Sequence, residues 1–179
     1  MSKKLVLRDQ FRQIRSHVNE PEITVITGPR QVGKTTTCRS LAEKSHYLNW
    51  DNQNDRSVIL KGPNEIALAL QLNQLRESDP VIVFDELHKY SKWKTILKGF
   101  FDVYGEKNKI IVTGSSRLDV YKRGGDSLMG RYFPYRMHPL SLSEVIKARV
   151  ADTEIQPPRR PPQATINQLQ TFGGFPEPF

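Results

Sequence analysis

Nine consecutive residues, Gly28-Pro29-Arg30-Gln31-Val32-Gly33-Lys34-Thr35-Thr36, place two glycines, a lysine and a hydroxyl at the spacing G-x-x-x-x-G-K-T. Glycines let a backbone close around a polyphosphate, and successive N–H groups with a following helix N-terminus meet its negative charge. In such a loop the lysine, here Lys34, reaches the β- and γ-phosphates, and the hydroxyl of Thr35 can ligate Mg²⁺. A second chemical group is Phe84-Asp85-Glu86, a pair of adjacent carboxylates at the end of an apolar run. Successive strand residues point to opposite faces, but where the chain turns both can approach one ligand. Asp85 is placed to hold Mg²⁺ through water, and Glu86 to orient or deprotonate an attacking water.

These groups need a scaffold, and the patterning supplies one. Residues 23–27, Ile-Thr-Val-Ile-Thr, are β-branched and read as the strand entering the loop. Residues 35–44 lack Pro and Gly and can continue as a helix. Tyr47 to Asp51 makes a second short strand, ending in the polar cluster Asp51-Asn52-Gln53-Asn54. Residues 64–77 alternate at Ile66, Leu68, Leu70 and Leu72, yet their Ala, Leu and Gln content and their length favour helix. Val81 to Phe84 and Ile110 to Thr113 are continuous apolar runs, as in parallel strands covered on both faces. Trp93, Ile96, Leu97, Phe100, Phe101 and Tyr104 fall on one helical stripe. Ser141-Leu142-Ser143-Glu144 is a capping box opening a short helix to about Val150. The alternation predicts an α/β fold, a three-layer sandwich around a mostly parallel sheet, with ligands at the carboxyl ends of the strands.

Composition narrows the class. The 179 residues contain one cysteine, Cys38, which excludes an intramolecular disulfide framework and any all-cysteine metal site. No run of 18 apolar residues and no secretory leader is present, so a cytoplasmic protein without a membrane partner is expected. The net charge of +8 invites a nucleic-acid partner, but the basic residues are spread along the chain and suit a solvated surface better. The four histidines show no metal-ligand spacing.

No Asn/Thr-Lys-x-Asp element for reading guanine is present, and the tandem acid pair resembles ATPases of the AAA superfamily. The order of motifs narrows the likeness. The loop at 28–36 is followed by Phe-Asp-Glu-Leu-His-Lys at 84–89 with Trp93 and Lys98, and then by Thr-Gly-Ser-Ser at 113–116. Gly130-Arg131, Pro139-Leu140-Ser141 with Glu144, and Gly173-Gly174-Phe175-Pro176-Glu177 complete it. Together they resemble a prokaryotic AAA-type P-loop ATPase family whose members carry this module at the N-terminus and a domain of unknown function behind it.

That resemblance implies ATP and Mg²⁺ as ligands and hydrolysis of the γ-phosphate, coupled to an unknown partner. It implies that a polar residue at the end of the fourth strand, Ser115 before Thr113, contacts the γ-phosphate or the lytic water. It also implies an arginine supplied within the subunit or by a neighbour, for which Arg131 is the candidate, ahead of Arg117 and Arg123. A homo-oligomer and a DNA or protein partner follow as expectations. Residues 1–150 are then the ATPase domain, 151–163 a proline-rich linker and 164–179 the start of a second domain. The chain stops at Phe179, where that domain would begin, and reads as a fragment, a truncated product or a minimal member. In that case it would bind nucleotide and turn it over poorly. A nucleotide-gated binding module and, more remotely, a small phosphotransferase are the alternatives.

Overall fold

The computed structural model describes residues 14–15, 18, 20–41, 46–74, 80–115, 128, 130–146 and 160–176. Among the described residues five strands form one sheet: β1 (Ile23–Thr27), β2 (His46–Asn49), β3 (Val81–Asp85), β4 (Lys109–Gly114) and β5 (Tyr132–Arg136). Their spatial order is β2-β3-β4-β1-β5, and every pairing is parallel. Parallel neighbours require crossovers, and helices supply them on both faces. Among the described residues, the α-helices that accompany the strands include α1 (Lys34–Leu41), α2 (Gln53–Lys61), α3 (Pro63–Ala69), α4 (Trp93–Tyr104), α5 (Leu142–Val145) and α6 (Gln163–Phe172).

Alternation along the central strands divides the core in two. Ile23, Val25, Ile82, Phe84, Ile110 and Val112 face α2, α3 and α4, meeting Ile59, Ile66, Leu97 and Phe100. Ile26, Val83 and Ile111 face the other way, toward Val32, Cys38 and Met137 beside α1. The result is the expected three-layer α/β arrangement, with the helix of the phosphate loop alone among the described crossovers on its face. The α4 stripe is as the periodicity predicts. Trp93, Leu97 and Phe100 are buried, and Phe100 meets Phe84 edge-on at 5.4 Å between ring centroids.

Three elements depart from the sequence expectation. The polar cluster after β2 is the start of a helix: the Asn52 side chain accepts from the N–H groups of Asn54 and Asp55 and caps α2. In residues 64–77 the helix ends at Ala69; Ile66 and Ala67 are buried while Leu68 is exposed, a helical rather than an alternating pattern. Strand β5 was hidden by Pro134, which a sheet tolerates at an edge, where β5 lies.

The capping box of Ser141 and Glu144 is present, and α5 is described as far as Val145. Residues 147–150 and 151–159, the expected helix end and most of the linker, lie outside the described residues, as do Ser116, Arg117 and Arg123. At the far end of the chain Leu140 N–H donates to the Gly174 carbonyl at 2.5 Å. A Cβ at Gly174 would collide with the Leu140 carbonyl oxygen, so the Gly-Gly and Pro-Leu-Ser motifs meet by backbone.

Candidate functional site

The carboxyl ends of β1, β3 and β4 converge on one place, and the two sequence motifs lie there. β1 ends at Thr27 and runs into the loop through Gly28, whose φ of +151° lies where side chains are strained. A Cβ at Gly28 would strike the Met137 carbonyl oxygen, and Met137 N–H in turn donates to Thr27 O at 2.7 Å. The end of β5 thus clamps the loop where it leaves the sheet. The loop then delivers α1, whose first-turn N–H groups have no partner within the helix.

Lys34 is 6% exposed and donates to the carbonyls of Gly28 at 3.0 Å and Pro29 at 2.7 Å. Burial holds its pKa below the ordinary lysine value, against the pull of Glu86 and Asp85. An ammonium has three donors, so one N–H remains for an anion. Arg30 and Gln31 at the loop tip are exposed, and Gln31 takes a left-handed φ of 64°.

Asp85, 3% exposed, is the hub. Its Oδ2 accepts the Thr35 hydroxyl at 2.9 Å and also the Tyr47 hydroxyl, while its Oδ1 accepts the Thr113 hydroxyl. Thr113, fully buried, also accepts from the Glu86 N–H at 3.2 Å, joining the two acidic residues. Glu86 itself adopts a left-handed conformation, φ 56° and ψ 22°. That backbone is strained for a non-glycine residue, and it turns the Glu86 side chain out of the strand's alternation. The carboxylate then lies 3.2 Å from Lys89, which also binds Asp51, and 3.9 Å from His88 Nε2.

Ser115, the first choice from sequence, is 3.1 Å from His88 Nε2 through its hydroxyl, and Thr113, the second choice, is the hydroxyl on Asp85. Burial lowers the His88 pKa, with Glu86 opposing. Its Nδ1 is buried with no hydrogen-bond partner among the described residues. His88, one of the four histidines without metal-ligand spacing, thus makes a specific contact with Ser115. Tyr47 was missed outright, since a tyrosine in a strand ordinarily signals only β propensity.

Arg131 requires a correction. Its carbonyl accepts from Ile23 N–H at 2.8 Å, at the amino end of β1, and its guanidinium pairs with Asp102 at 3.1 Å. The phosphate loop leaves the opposite end of β1, a five-residue strand away, or about 17 Å. An action of Arg131 on the nucleotide site of its own chain is therefore overturned by position.

The hard oxygens of Thr35 and Asp85 suit a divalent cation such as Mg²⁺, which keeps most of its water and needs few protein ligands. Among the described residues no group of three or more His, Cys, Asp or Glu could hold a metal. The loop, the buried ammonium and the α1 N-terminus together can bind a phosphate chain, and Glu86 stands within the same cluster.

Residues 20–146 match a family model described as AAA domain. An uncharacterised protein of Haemophilus influenzae is 24% identical over 189 aligned residues, which take in 98% of this chain and 45% of that protein. The chain therefore spans less than half the length of that relative. Among solved structures, the Aeropyrum pernix ORC1 protein in complex with DNA superposes with a TM-score of 0.58 at 16% identity, covering 81% of this chain and 48% of that one. AMPPCP-bound DnaA from Aquifex aeolicus superposes with a TM-score of 0.59 at 12% identity, covering 97% and 60%. At such identities the structural likeness speaks for the fold.

Proposed function

The chain belongs to the AAA domain family, and from that premise we propose that it binds ATP with Mg²⁺ and hydrolyses the γ-phosphate. The observation that carries this reading is the juxtaposition at Asp85: the Thr35 hydroxyl on its carboxylate, in a site whose buried Lys34 hydrogen-bonds, among the described residues, to two carbonyls. A buried ammonium with a spare donor favours a polyanion, and the backbone N–H groups of the loop from Arg30 to Thr36 would cradle it. Thr35 would hold Mg²⁺ directly and Asp85 would hold it through water. Held there, the ion would supply positive charge that stabilises the phosphate oxygens. Glu86 accepts the proton of the attacking water, and Ser115, steadied by His88, contacts the γ-phosphate or that water. Arg131 serves the site of a neighbouring copy, so the working form is an oligomer. The protein acts in the cytoplasm and couples its cycle to a protein or DNA partner.

A second reading, a nucleotide-gated module with little turnover, draws support from the Glu86–Lys89 contact at 3.2 Å, which occupies the base. Both readings require Lys34-dependent nucleotide binding. Equilibrium binding of a fluorescent ATP analogue tests this: wild type should bind in Mg²⁺, and Lys34→Ala should lose at least about tenfold in affinity, the scale of a lost charge-assisted contact. Equal affinity in the two proteins would reject the site.

A further inference from the structure

Among the described residues strand β2 pairs with β3 alone, with Tyr47 opposite Val83 and Asn49 opposite Asp85. Two residues short of Asp85 in register and on the same face, Tyr47 is long enough for its hydroxyl to reach the Asp85 carboxylate, which it does. Its ring packs against the core cluster that contains Val83, Cys38 and Ile111, and the Arg39 guanidinium lies 4.9 Å from the ring centroid. The ring is thus held from two sides, by the sheet and by α1.

We propose that Tyr47 is a positioning residue for the Mg²⁺ site: its hydroxyl commits Asp85 Oδ2 and fixes the plane of the carboxylate. The inference rests on the nucleotide reading above and names a determinant of it outside the phosphate loop and the acid pair. A carboxylate has about four acceptor sites. Thr35 and Tyr47 take both on Oδ2, and Thr113 takes one on Oδ1, leaving a single Oδ1 site for a metal-bound water. With Tyr47 in place the carboxylate addresses the ion only through that water. Without its hydroxyl, Oδ2 keeps Thr35 alone and the carboxylate can turn.

Tyr47→Phe removes the hydroxyl and keeps the ring. The test titrates Mg²⁺ into the purified chain with a fluorescent ATP analogue, beside the same titration of nucleotide in EDTA. The expected result is an Mg²⁺ midpoint raised about tenfold, the size of one hydrogen bond to a charged group, with affinity in EDTA within about twofold of wild type. An unchanged Mg²⁺ midpoint, in an experiment where Lys34→Ala abolishes binding, overturns the inference and leaves the nucleotide site standing. Affinity lowered equally with Mg²⁺ and with EDTA also overturns it, because a merely structural tyrosine would act that way. Wild type that binds no nucleotide overturns this inference together with the reading it rests on. A second readout needs no folded variant: in wild type carrying ¹³C-labelled tyrosine, one Cζ resonance should move when Mg²⁺ joins the bound nucleotide. Its failure to move counts against the proposal.

Discussion

Asp85 gathers three hydroxyl donors from three elements: Thr35 of α1, Tyr47 of β2 and Thr113 of β4. Each has a different consequence when lost. Thr113 is fully buried and bridges Asp85 to the Glu86 N–H, so Thr113→Val strands a buried donor. The expected cost is about 1–3 kcal/mol by urea unfolding, whereas Ser115→Ala, at a partly exposed position, should stay within about 0.5 kcal/mol and act on turnover. Equal stability loss in the two would contradict the bridging role. Lys34, Thr35, Asp85 and Glu86 were legible from residue type and spacing alone, because phosphate chemistry restricts what can stand there. Tyr47 was not legible. Its role depends on the β2–β3 register, which places it two residues from the Asn49–Asp85 pair, and one sequence does not reveal register.

Elements set these residues by pairing and by close backbone approach. The exit of β1 is held by Met137, whose N–H binds Thr27 O and whose carbonyl fills the space beside Gly28. Gly28→Ala meets both a strained φ of +151° and a backbone atom that cannot rotate away. It should destabilise by about 1–3 kcal/mol in chemical unfolding and weaken nucleotide binding as well. A protein of wild-type stability with full nucleotide affinity would refute the clamp. Periodicity made α4 legible from Trp93 to Tyr104, and continuous apolar runs did the same for β3 and β4. It failed for β5, because Pro134 and the charged end at Arg136 imitate a loop until the edge position is known. It failed for α2 because Asn52 signals a turn and a helix cap equally well.

Across the whole molecule, the described residues form one sheet with its chemistry at the carboxyl ends, the general placement for open α/β folds. Arg131 stands at the other end, paired with Asp102. The sequence showed an arginine after a glycine but not which end of the sheet it would occupy. On the proposed reading it acts across a contact between copies. Arg131→Ala and Lys34→Ala chains, each inactive alone, should then regain turnover when mixed, because one keeps an intact site and the other an intact arginine. Mixtures that stay as inactive as the separate proteins would remove Arg131 from the mechanism.

Hydrolysis at this site is read out by phosphate release from ATP. Purified wild-type chain is assayed with and without Mg²⁺, beside Glu86→Gln, with nucleotide binding measured on the same samples. Wild type should release phosphate in an Mg²⁺-dependent manner, and Glu86→Gln should bind ATP as wild type does with turnover reduced at least about 10²-fold, the scale of a lost general base. Equal turnover in the two proteins would contradict the assignment of Glu86, and no release by a wild type that binds Mg²⁺-ATP would contradict hydrolysis by this chain.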